Sequence, residues 1–303
     1  MTIDLQRITS SPFGVKLVSF IGRTMQPSIG YRVADLIAGW LAGRRESLLV
    51  RAIRLNQWVI RGVNLDEKAL DQCVRDVLKH SAHSLYNLYH YIHYPKAARE
   101  MIDLNPVAQG LVERPEFGGR GLMLVGLHLS NFDLILQSMC MQGLMAFVLT
   151  IPDPQGGHRV EYEMRKRTGM HLVPASLSAL RDAIHHLKRG GVVLTGMDRP
   201  IPEPKTHPRF FGHPTCLPTH HIHLAIKAKV PVMIIAARLG TDMHYHVTTS
   251  DPIEMEHVPD HEKAIEVNAE RVLKEAEKFI LQAPEQWGMS LPVWPNLMDD
   301  VPE

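Results

Sequence analysis

The chain is 303 residues long and has little of what marks secreted, membrane-spanning or nucleic-acid-binding proteins. Its three cysteines, Cys73, Cys140 and Cys216, are odd in number and far apart, which argues against a disulfide framework and indicates a reducing compartment. The formal net charge is only +1, so no overall field would attract nucleic acid. No apolar run reaches the roughly 18 to 20 residues that a membrane-spanning helix needs, and the N-terminus lacks the layout of a cleavable signal. We therefore expect a cytoplasmic protein that contacts a membrane only peripherally.

The motifs of several large enzyme classes are also absent. There is no G-x-G-x-x-G and no Walker A pattern, so nucleotide-dependent redox or phosphoryl-transfer chemistry has no support. A serine hydrolase would need a G-x-S-x-G nucleophile elbow, and none is present. Four residues invite a zinc site, but their spacing matches no C-x2-C or H-x3-H ligand set: Cys216, His220, His221 and His223. We expect neither a metal nor a bound cofactor.

What is present indicates an α/β protein with a helical N-terminal region. Apolar residues make up 45% of the chain and charged residues 21%, which is enough for a sizeable core. From about Pro12 to Tyr94 the apolar residues recur at helical spacing. Beyond Gly118, short apolar runs alternate with amphipathic helices, a pattern typical of βαβ units and of a mostly parallel central sheet flanked by helices. We expect a membrane-facing helical region over residues 1–95 and an α/β catalytic core over residues 96–303.

The individual elements follow from the same patterns. Short apolar runs predict strands over residues 122–127, 146–151, 171–174, 192–196 and 232–237. Residues 245–249 alternate and are predicted as an edge strand, while helices are expected over residues 219–229 and 262–282. Residues 198–218 are rich in Pro, Gly and His and should form a long loop, which in a compact domain is more often functional than idle.

Basic residues are concentrated near the N-terminus. Only Asp4, Asp35 and Glu46 are acidic up to position 65. The basic residues in the same stretch are Arg7, Lys16, Arg23, Arg32, Arg44, Arg45, Arg51, Arg54 and Arg61. This asymmetry would suit a surface of anionic lipid headgroups, and an ordinary solvated helical face is an equal alternative.

His128 and Asp133 lie where the first predicted strand ends and a helix begins, the place at which open α/β sheets bind ligands. In one continuous helix, five positions would separate them by about 140°, so they meet only if His128 precedes the helix. Asp133 could then accept a hydrogen bond from one ring nitrogen and stabilise the imidazolium. The other nitrogen would be a general base that takes the proton of an attacking hydroxyl.

The same loop has a purely structural interpretation. Ser130 to Asp133 reads S-x-x-D, a capping box in which Ser130 caps the helix and Asp133 returns the hydrogen bond. If the loop is instead part of a site, Ser130 and Asn131 are candidate substrate contacts. The free amides of the following helix could then bind a phosphate or a developing oxyanion.

Asp198 and Arg199 begin the long loop directly after a predicted strand, so we expect both on the same side as His128. Arg199 could hold a phosphate through its planar fork of donors, and Asp198 could orient Arg199 or the acceptor hydroxyl. A surface ion pair in a strand-end turn is the alternative.

Other residues are weaker candidates. Arg159, Arg165 and Arg167 could contact the phosphates of a donor substrate, or could form the solvent face of an amphipathic helix. Phe211 and Gly212 follow Phe210 and could wall an apolar substrate groove, although most aromatic pairs belong to a core.

Several segments occur together in a characteristic order. They are Arg165–Gly169, Leu187–Gly191, Asp198–Pro200, Phe210–Gly212, Lys229–Val232 and Ala283–Trp287, with a helical block from Asn56. With His128-x4-Asp133, this set resembles the lysophospholipid acyltransferase superfamily and its H-x4-D/E motif. Within it, the set is most similar to the lipid A biosynthesis lauroyl and myristoyl acyltransferase branch, which includes the mycobacterial phosphatidylinositol mannoside acyltransferases. The resemblance covers about Asn56 to Trp294.

The resemblance implies transfer of a fatty acyl chain from acyl-CoA or acyl carrier protein to a hydroxyl of a lipid or glycolipid. It also implies no metal, and peripheral attachment to the inner face of the cell membrane. Ser130 and Phe132 stand where the branch usually has a glycine and a tryptophan, which leaves the acceptor open. Many members also carry an N-terminal membrane span, and here interfacial contact by the helical region would replace it. A non-catalytic lipid-binding protein of the same fold and a lipid esterase are the alternatives.

Overall fold

The computed structural model describes residues 19–113, 119–152 and 156–302. The helical region predicted from Pro12 therefore begins outside the described residues. Residues 19–24 are helical and precede four helices, α1 Pro27–Ala42, α2 Leu48–Ile60, α3 Glu67–Tyr91 and α4 Pro95–Glu100. Ser47 and Asp66 cap α2 and α3 by accepting hydrogen bonds from the amides of Val50 and Ala69.

The rest of the described chain alternates strands and helices. The helices are α5 Pro106–Glu113, α6 Phe132–Gln142, α7 Gly156–Arg167, α8 Leu177–Lys188, α9 His220–Ala228 and α10 His261–Gln282. The strands are β1 Ile102–Leu104, β2 Leu122–Gly126, β3 Ala146–Thr150, β4 His171–Pro174, β5 Val192–Gly196, β6 Arg209–Phe210, β7 His213–Pro214, β8 Val232–Leu239 and β9 Tyr245–Thr249. Short 3-10 helices at Pro284–Gln286 and Pro295–Asp300 follow α10.

Seven of the described strands form one sheet, in the order β1-β9-β8-β2-β5-β3-β4. Neighbouring strands from β8 to β4 run parallel, and only the β8–β9 pairing is antiparallel. The central strands are apolar along their whole length, as expected of parallel strands covered on both faces. The expected fold class is confirmed: a mostly parallel central sheet flanked by helices, with helices ahead of it.

Two details of the predicted sheet are corrected. Tyr245–Thr249 is not an edge strand, because the three-residue strand Ile102–Leu104 pairs with its outer side. The expected loop over residues 198–218 also contains a small hairpin, in which Phe210 pairs with His213. Both missed pieces are only two or three residues long, too short for periodicity to detect.

The two faces of the sheet pack against different helices. Met123 and Val125 of β2 point to a core cluster formed with α8, α9 and α10. Leu122 and Leu124 point the other way, to a cluster formed with α5 and α6. The N-terminal helices join this core, since Leu55 of α2 belongs to the first cluster. In the described part of the chain, no helix is both long enough and apolar enough to cross a membrane.

The chain after α10 runs back across α2. The Asn56 side-chain amide donates to the carbonyls of Met289 and Leu291, and its oxygen accepts the amide of Val293 at 3.1 Å. Asn56 is buried, so these three hydrogen bonds hold the C-terminal segment in one place. That segment carries Trp287 to the carboxyl edge of the sheet.

Candidate active site

His128 lies two residues beyond the end of β2, and Asp198 lies two residues beyond the end of β5. The two strands are parallel neighbours, with Gly126 opposite Gly196. Because parallel neighbours end at the same edge of a sheet, the two residues that follow them come together. This edge is where ligands bind in open α/β sheets.

Asp198 holds His128 by two hydrogen bonds. One carboxylate oxygen, Oδ1, is 2.6 Å from the ring nitrogen Nδ1 of His128, and the other, Oδ2, accepts the backbone amide of His128 at 2.9 Å. The indole Nε1–H of Trp287 also donates to Oδ2, at 2.8 Å. Three donors thus fix both oxygens of a fully buried carboxylate.

The charge state of Asp198 follows from these contacts. Burial alone would raise the pKa of Asp198, but the charge of His128 and the hydrogen bonds from His128 and Trp287 lower it below its ordinary value. The carboxylate is therefore ionised, and its Oδ1 accepts a hydrogen bond from the Nδ1–H of His128. The other ring nitrogen, Nε2, has no hydrogen-bond partner among the described residues, and 25% of the His128 side-chain surface remains exposed.

Asp133 does not occupy the place that the sequence interpretation assigned to it. It lies in the first turn of α6 and accepts two hydrogen bonds from the Arg165 guanidinium, at 2.9 and 2.8 Å, and one from Gln137 at 3.0 Å. Among the described residues no hydrogen bond joins it to His128, whose Nδ1 is bonded to Asp198. His128 does precede the helix, but the first turn directs the Asp133 carboxylate toward α7.

The Asp133–Arg165 pair is buried and ionic. Burial would raise the pKa of Asp133, but the charge and hydrogen bonds of Arg165 outweigh it and lower that pKa. The pKa of Arg165 is raised, because Asp133 outweighs the effect of burial. This pair ties the first turn of α6 to α7, and it engages the Arg165 guanidinium that was predicted to contact a phosphate.

The capping-box interpretation is also corrected. Asn131, rather than Ser130, caps α6, and its side-chain oxygen accepts the amide of Leu134 at 3.4 Å. Its NH2 group donates to the carbonyl of Ser84 and to the hydroxyl of Tyr245. Asn131 is therefore engaged internally rather than presented to a substrate.

Ser130 is held in a conformation that few residues adopt. Its φ is +54°, its amide donates to the Gln286 carbonyl at 2.8 Å, and its hydroxyl is buried without a partner among the described residues. A serine in the left-handed region is strained. This backbone conformation sets the direction of the chain between His128 and α6. Ser130 thus shapes the loop and does not offer its hydroxyl outward.

Two aromatic rings pack against Trp287, the indole that donates a hydrogen bond to Asp198. The ring of Phe210 stacks on Trp294 with centroids 5.7 Å apart and meets Trp287 edge-on at 6.3 Å. The Nε1–H of Trp294 donates to the Phe210 carbonyl at 3.2 Å. All three rings are buried, so this cluster fixes Trp287 and, through it, Asp198.

Phe211 and Gly212 lie at the tip of the β6–β7 hairpin. The Phe211 amide donates to Glu277 of α10 at 2.7 Å, and its ring packs edge-on against Phe210. Gly212 lines an open, charged groove together with Arg209 and residues of α10. His128 is not among the described residues that line this groove, so an acyl-binding role for this pair remains only a prediction.

Exposed cations and one aromatic ring complete the surroundings. Arg159, Arg167 and Arg199 are exposed, and Arg199 directly follows Asp198. The Phe132 ring meets the His128 ring edge-on, with centroids 4.6 Å apart. The site is thus a partly exposed imidazole, flanked by a phenyl ring and backed by a buried carboxylate.

The role of Trp287 was missed by sequence reasoning, and Asp198 was given a different partner. The signal for Asp198 was an acid placed directly after a strand that neighbours the His128 strand. The signal for Trp287 was the Ala283–Trp287 segment, which resembles a family motif. Nothing in the neighbouring sequence indicates which group the Trp287 indole contacts.

Comparison with known proteins identifies the family. A search of curated proteins finds no match to this chain. The family model for bacterial lipid A biosynthesis acyltransferases matches residues 94–295, two thirds of the chain, which include both His128 and Asp198. The chain belongs to the bacterial lipid A biosynthesis acyltransferase family.

Proposed function

We propose that this protein is an O-acyltransferase that moves a fatty acyl chain from an acyl thioester, acyl-CoA or acyl carrier protein, to a hydroxyl of a membrane lipid or glycolipid. The family supports acyl transfer to a lipid acceptor. The observation that carries the finer proposal is the His128–Asp198 pair, which leaves Nε2 of a partly exposed imidazole free at the carboxyl edge of the sheet.

In this mechanism Nε2 of His128 takes the proton of the acceptor hydroxyl as its oxygen attacks the thioester carbonyl. A C–O bond forms, the C–S bond breaks, and the imidazolium returns the proton to the leaving thiolate. Asp198 stabilises the imidazolium and holds its orientation, which is the part that sequence reasoning gave to Asp133. No electron donor or acceptor is needed.

We propose direct transfer through a ternary complex. Among the described hydrogen bonds, the His128 ring is bonded to Asp198 and to no serine or cysteine. Cys140 lies in α6, and burial raises its pKa to about 12, which disfavours a thiolate. In the described part of the chain, His128 is thus not paired with a serine or cysteine that could form an acyl-enzyme.

The first turn of α6 offers donors for the oxyanion that forms during attack. Within the described chain, the amides of Phe132 and Asp133 have no hydrogen-bond partner, and the amides of Leu134 and Ile135 are bonded to Asn131. The positive end of the helix dipole adds to their effect. Exposed Arg167 and Arg199 are candidates for the phosphates of the donor or acceptor.

We also propose that the outer face of α1 contacts the membrane. This helix buries small residues, Gly30, Ala34 and Ala38, and turns large apolar ones outward. Leu36 is 74% exposed and Trp40 44% exposed. The exposed apolar stripe is Ile29, Leu36, Ile37 and Trp40. Such a large exposed apolar stripe indicates a partner surface.

The surrounding charge favours an anionic bilayer surface as that partner. Arg23, Arg32 and Arg51 are exposed on or beside α1, and the guanidinium of Arg44 lies 3.6 Å above the Trp40 ring. Aromatic and basic residues together are typical of helices at the membrane interface. Peripheral attachment to the inner face of the cell membrane is the corresponding expectation for the cell.

Vesicle sedimentation tests this contact. A variant with Leu36→Ser and Trp40→Ser should lose most of its binding to anionic vesicles, whereas Leu177→Ser, at a 79% exposed leucine on α8, should not. Equal binding of all three proteins would place the membrane contact elsewhere.

The catalytic proposal is tested with purified protein, acyl-CoA and extracted membrane lipids. His128→Ala should lower the rate of ester formation by about 100-fold to 10,000-fold without abolishing lipid binding. His83→Ala is the matched control, because His83 also bonds to an aspartate, Asp35 at 2.8 Å, but on the N-terminal helices. Full activity of His128→Ala, or a trapped covalent acyl-enzyme, would exclude this mechanism.

The same assay separates the alternatives. A product that is free fatty acid rather than a new ester would indicate a lipid esterase. Lipid binding with no His128-dependent product would indicate a non-catalytic lipid-binding protein.

A further inference from the structure

Gly126 and Gly196 are paired in register at the carboxyl ends of β2 and β5. In parallel strands such a pair points to the same face of the sheet. Here it is the face that also carries Leu124 and Leu194, which lie two residues earlier on the same strands and are buried. At the last position of both strands, a glycine thus continues a row of buried apolar side chains, Leu122 and Leu124 on β2 and Val192 and Leu194 on β5.

Packing does not account for either glycine. A Cβ built on Gly126 meets no atom within 4 Å, and one built on Gly196 meets only Cε1 of His128, at 3.4 Å. For comparison, a Cβ on Gly121 would lie 2.0 Å from the carbonyl oxygen of Leu187, so that glycine is required by close packing.

Backbone conformation does not account for them either. Neither glycine has a positive φ, so an alanine would fit both positions without strain. Glycine inside a strand costs about 0.5 to 1 kcal/mol relative to alanine. Glycine in a strand with free space above it often marks a place where a ligand approaches the backbone.

The open strip lies against the reactive edge of His128. Cε1, the atom that faces Gly196, is covalently bonded to the free nitrogen Nε2, while Nδ1 is held by Asp198. Gly196 is exposed and Gly126 is partly exposed, so the strip opens to the surface.

Two of the side chains that border the strip are apolar. Ile235 of β8 is the register partner of Gly126 and is partly buried, and Phe132 packs against the His128 ring. This border suits methylene groups better than a charged headgroup.

We propose that Gly126 and Gly196 form a substrate-binding floor beside His128, over which the first methylene groups of the acyl chain lie while its thioester carbonyl lies beside the hydroxyl that Nε2 deprotonates. This inference rests on the proposed acyl transfer, and it names the part of the substrate that occupies this edge. A side chain on either glycine would fill the space of the chain next to the carbonyl.

The test compares Gly126→Val, Gly196→Val and Gly196→Ala with the wild type. With palmitoyl-CoA as donor, each valine should lower kcat/KM by at least about tenfold, and the alanine by less, because occluded space grows with side-chain size. Acetyl-CoA, which has no methylene beside the carbonyl, should be much less affected. The thermal midpoints should stay near that of the wild type, since an added Cβ meets no atom within 4 Å at Gly126 and only Cε1 of His128, at 3.4 Å, at Gly196. Gly110→Ala on α5, where an added Cβ also meets nothing within 4 Å, is the control and should keep wild-type activity.

A binding measurement separates this inference from the proposed reaction. A non-reactive palmitoyl thioether of CoA should bind wild type and His128→Ala alike, and should bind the two valine variants at least about tenfold more weakly. If the wild type binds the thioether without turnover and the valine variants do not bind, the floor stands and the transfer reaction falls. Folded valine variants that bind and react like the wild type would overturn the floor, and so would a wild type that does not bind the thioether.

Discussion

The end of β5 and the first turn of α6 each place a buried aspartate beside the His128 loop, and the two do different work. At the end of β5, Asp198 is bonded to a base, His128, and to the neutral donor Trp287. In the first turn of α6, Asp133 is bonded to a permanent cation, Arg165. A carboxylate against an imidazole can support proton transfer, whereas one against a guanidinium can only bind and hold. Proximity in sequence to the histidine therefore does not decide which acid is hydrogen-bonded to it.

The largest expected effect comes from removing the charge at the end of β5. Asp198→Asn should lower kcat by about 100-fold to 10,000-fold, because the amide can no longer stabilise the imidazolium and can reverse the tautomer of His128. The measurement is steady-state acyl transfer at pH 7.5, with urea unfolding to show that the variant is folded. A rate within threefold of the wild type would remove Asp198 from the mechanism.

The contrast between the two aspartates would fail if Asp133→Asn lowered kcat as much as Asp198→Asn does. Asp133→Asn should instead act on stability, lowering the free energy of unfolding by about 3 kcal/mol, the low end for a broken buried ion pair. The low end applies because 26% of the Arg165 side chain is exposed and can reach water.

A double variant separates the contribution of the Asp133–Arg165 pair to stability from any contribution to catalysis. Asp133→Leu with Arg165→Met replaces both charges by apolar groups, and it should recover most of the stability that Asp133→Asn loses. Its kcat should stay within about tenfold of the wild type, because Asp133 makes no described hydrogen bond to His128. A loss of activity as large as that of Asp198→Asn, in a folded double variant, would return Asp133 to the catalytic role.

Much of the fold could be predicted because its central strands are buried on both faces. Leu122–Gly126 and Val192–Gly196 appear as apolar runs bounded by polar or glycine-rich segments. Ile102–Leu104 could not be predicted, because three residues are too few for a periodic pattern. Tyr245–Thr249 was predicted as an edge strand from its alternating pattern, and it is Ile102–Leu104 that covers this edge.

The place of the site in the fold was predicted, but the hydrogen bonds between its residues were not. His128 and Asp198 were both expected at the carboxyl edge of the sheet, because each follows an apolar strand. Which acid bonds to the imidazole depends on β2 and β5 being neighbours and on the direction of the first turn of α6. Strand order is a property of tertiary packing, and local periodicity does not contain it. The contact of Trp287 with Asp198 spans 89 residues and depends in the same way on the C-terminal segment crossing the core.

A smaller effect is expected from the neutral donor to Asp198. Trp287→Phe removes one hydrogen bond to a buried carboxylate, worth about 1.5 to 3 kcal/mol, and should lower kcat by about tenfold as His128 becomes less well oriented. Trp294→Phe is the matched control, because Trp294 is equally buried and its indole donates to a backbone carbonyl instead. Both variants should lose stability, Trp294→Phe by less because its bond to a neutral carbonyl is worth about 0.5 to 1.5 kcal/mol, and only Trp287→Phe should lose activity. Equal activity of the two would show that the indole of Trp287 serves packing alone.

The smallest expected effect is a difference in pH dependence that isolates Asp133. Its pKa is lowered in the folded protein, so its contribution to stability is fully present above its unfolded pKa of about 3.9 and is lost as pH falls through the folded value. Arg165 stays charged throughout this range, so the pair contributes one titrating proton. Wild type should therefore lose stability more steeply than the Asp133→Leu/Arg165→Met variant as pH falls from about 4.5 toward 3, by at most about 1.4 kcal/mol per pH unit. Urea unfolding at several pH values measures both slopes, and because the buried histidines are common to both proteins their titration cancels in the difference. Identical slopes would mean that the Asp133 carboxylate gains nothing from Arg165 on folding, and the contrast between the two aspartates would then lie in position alone.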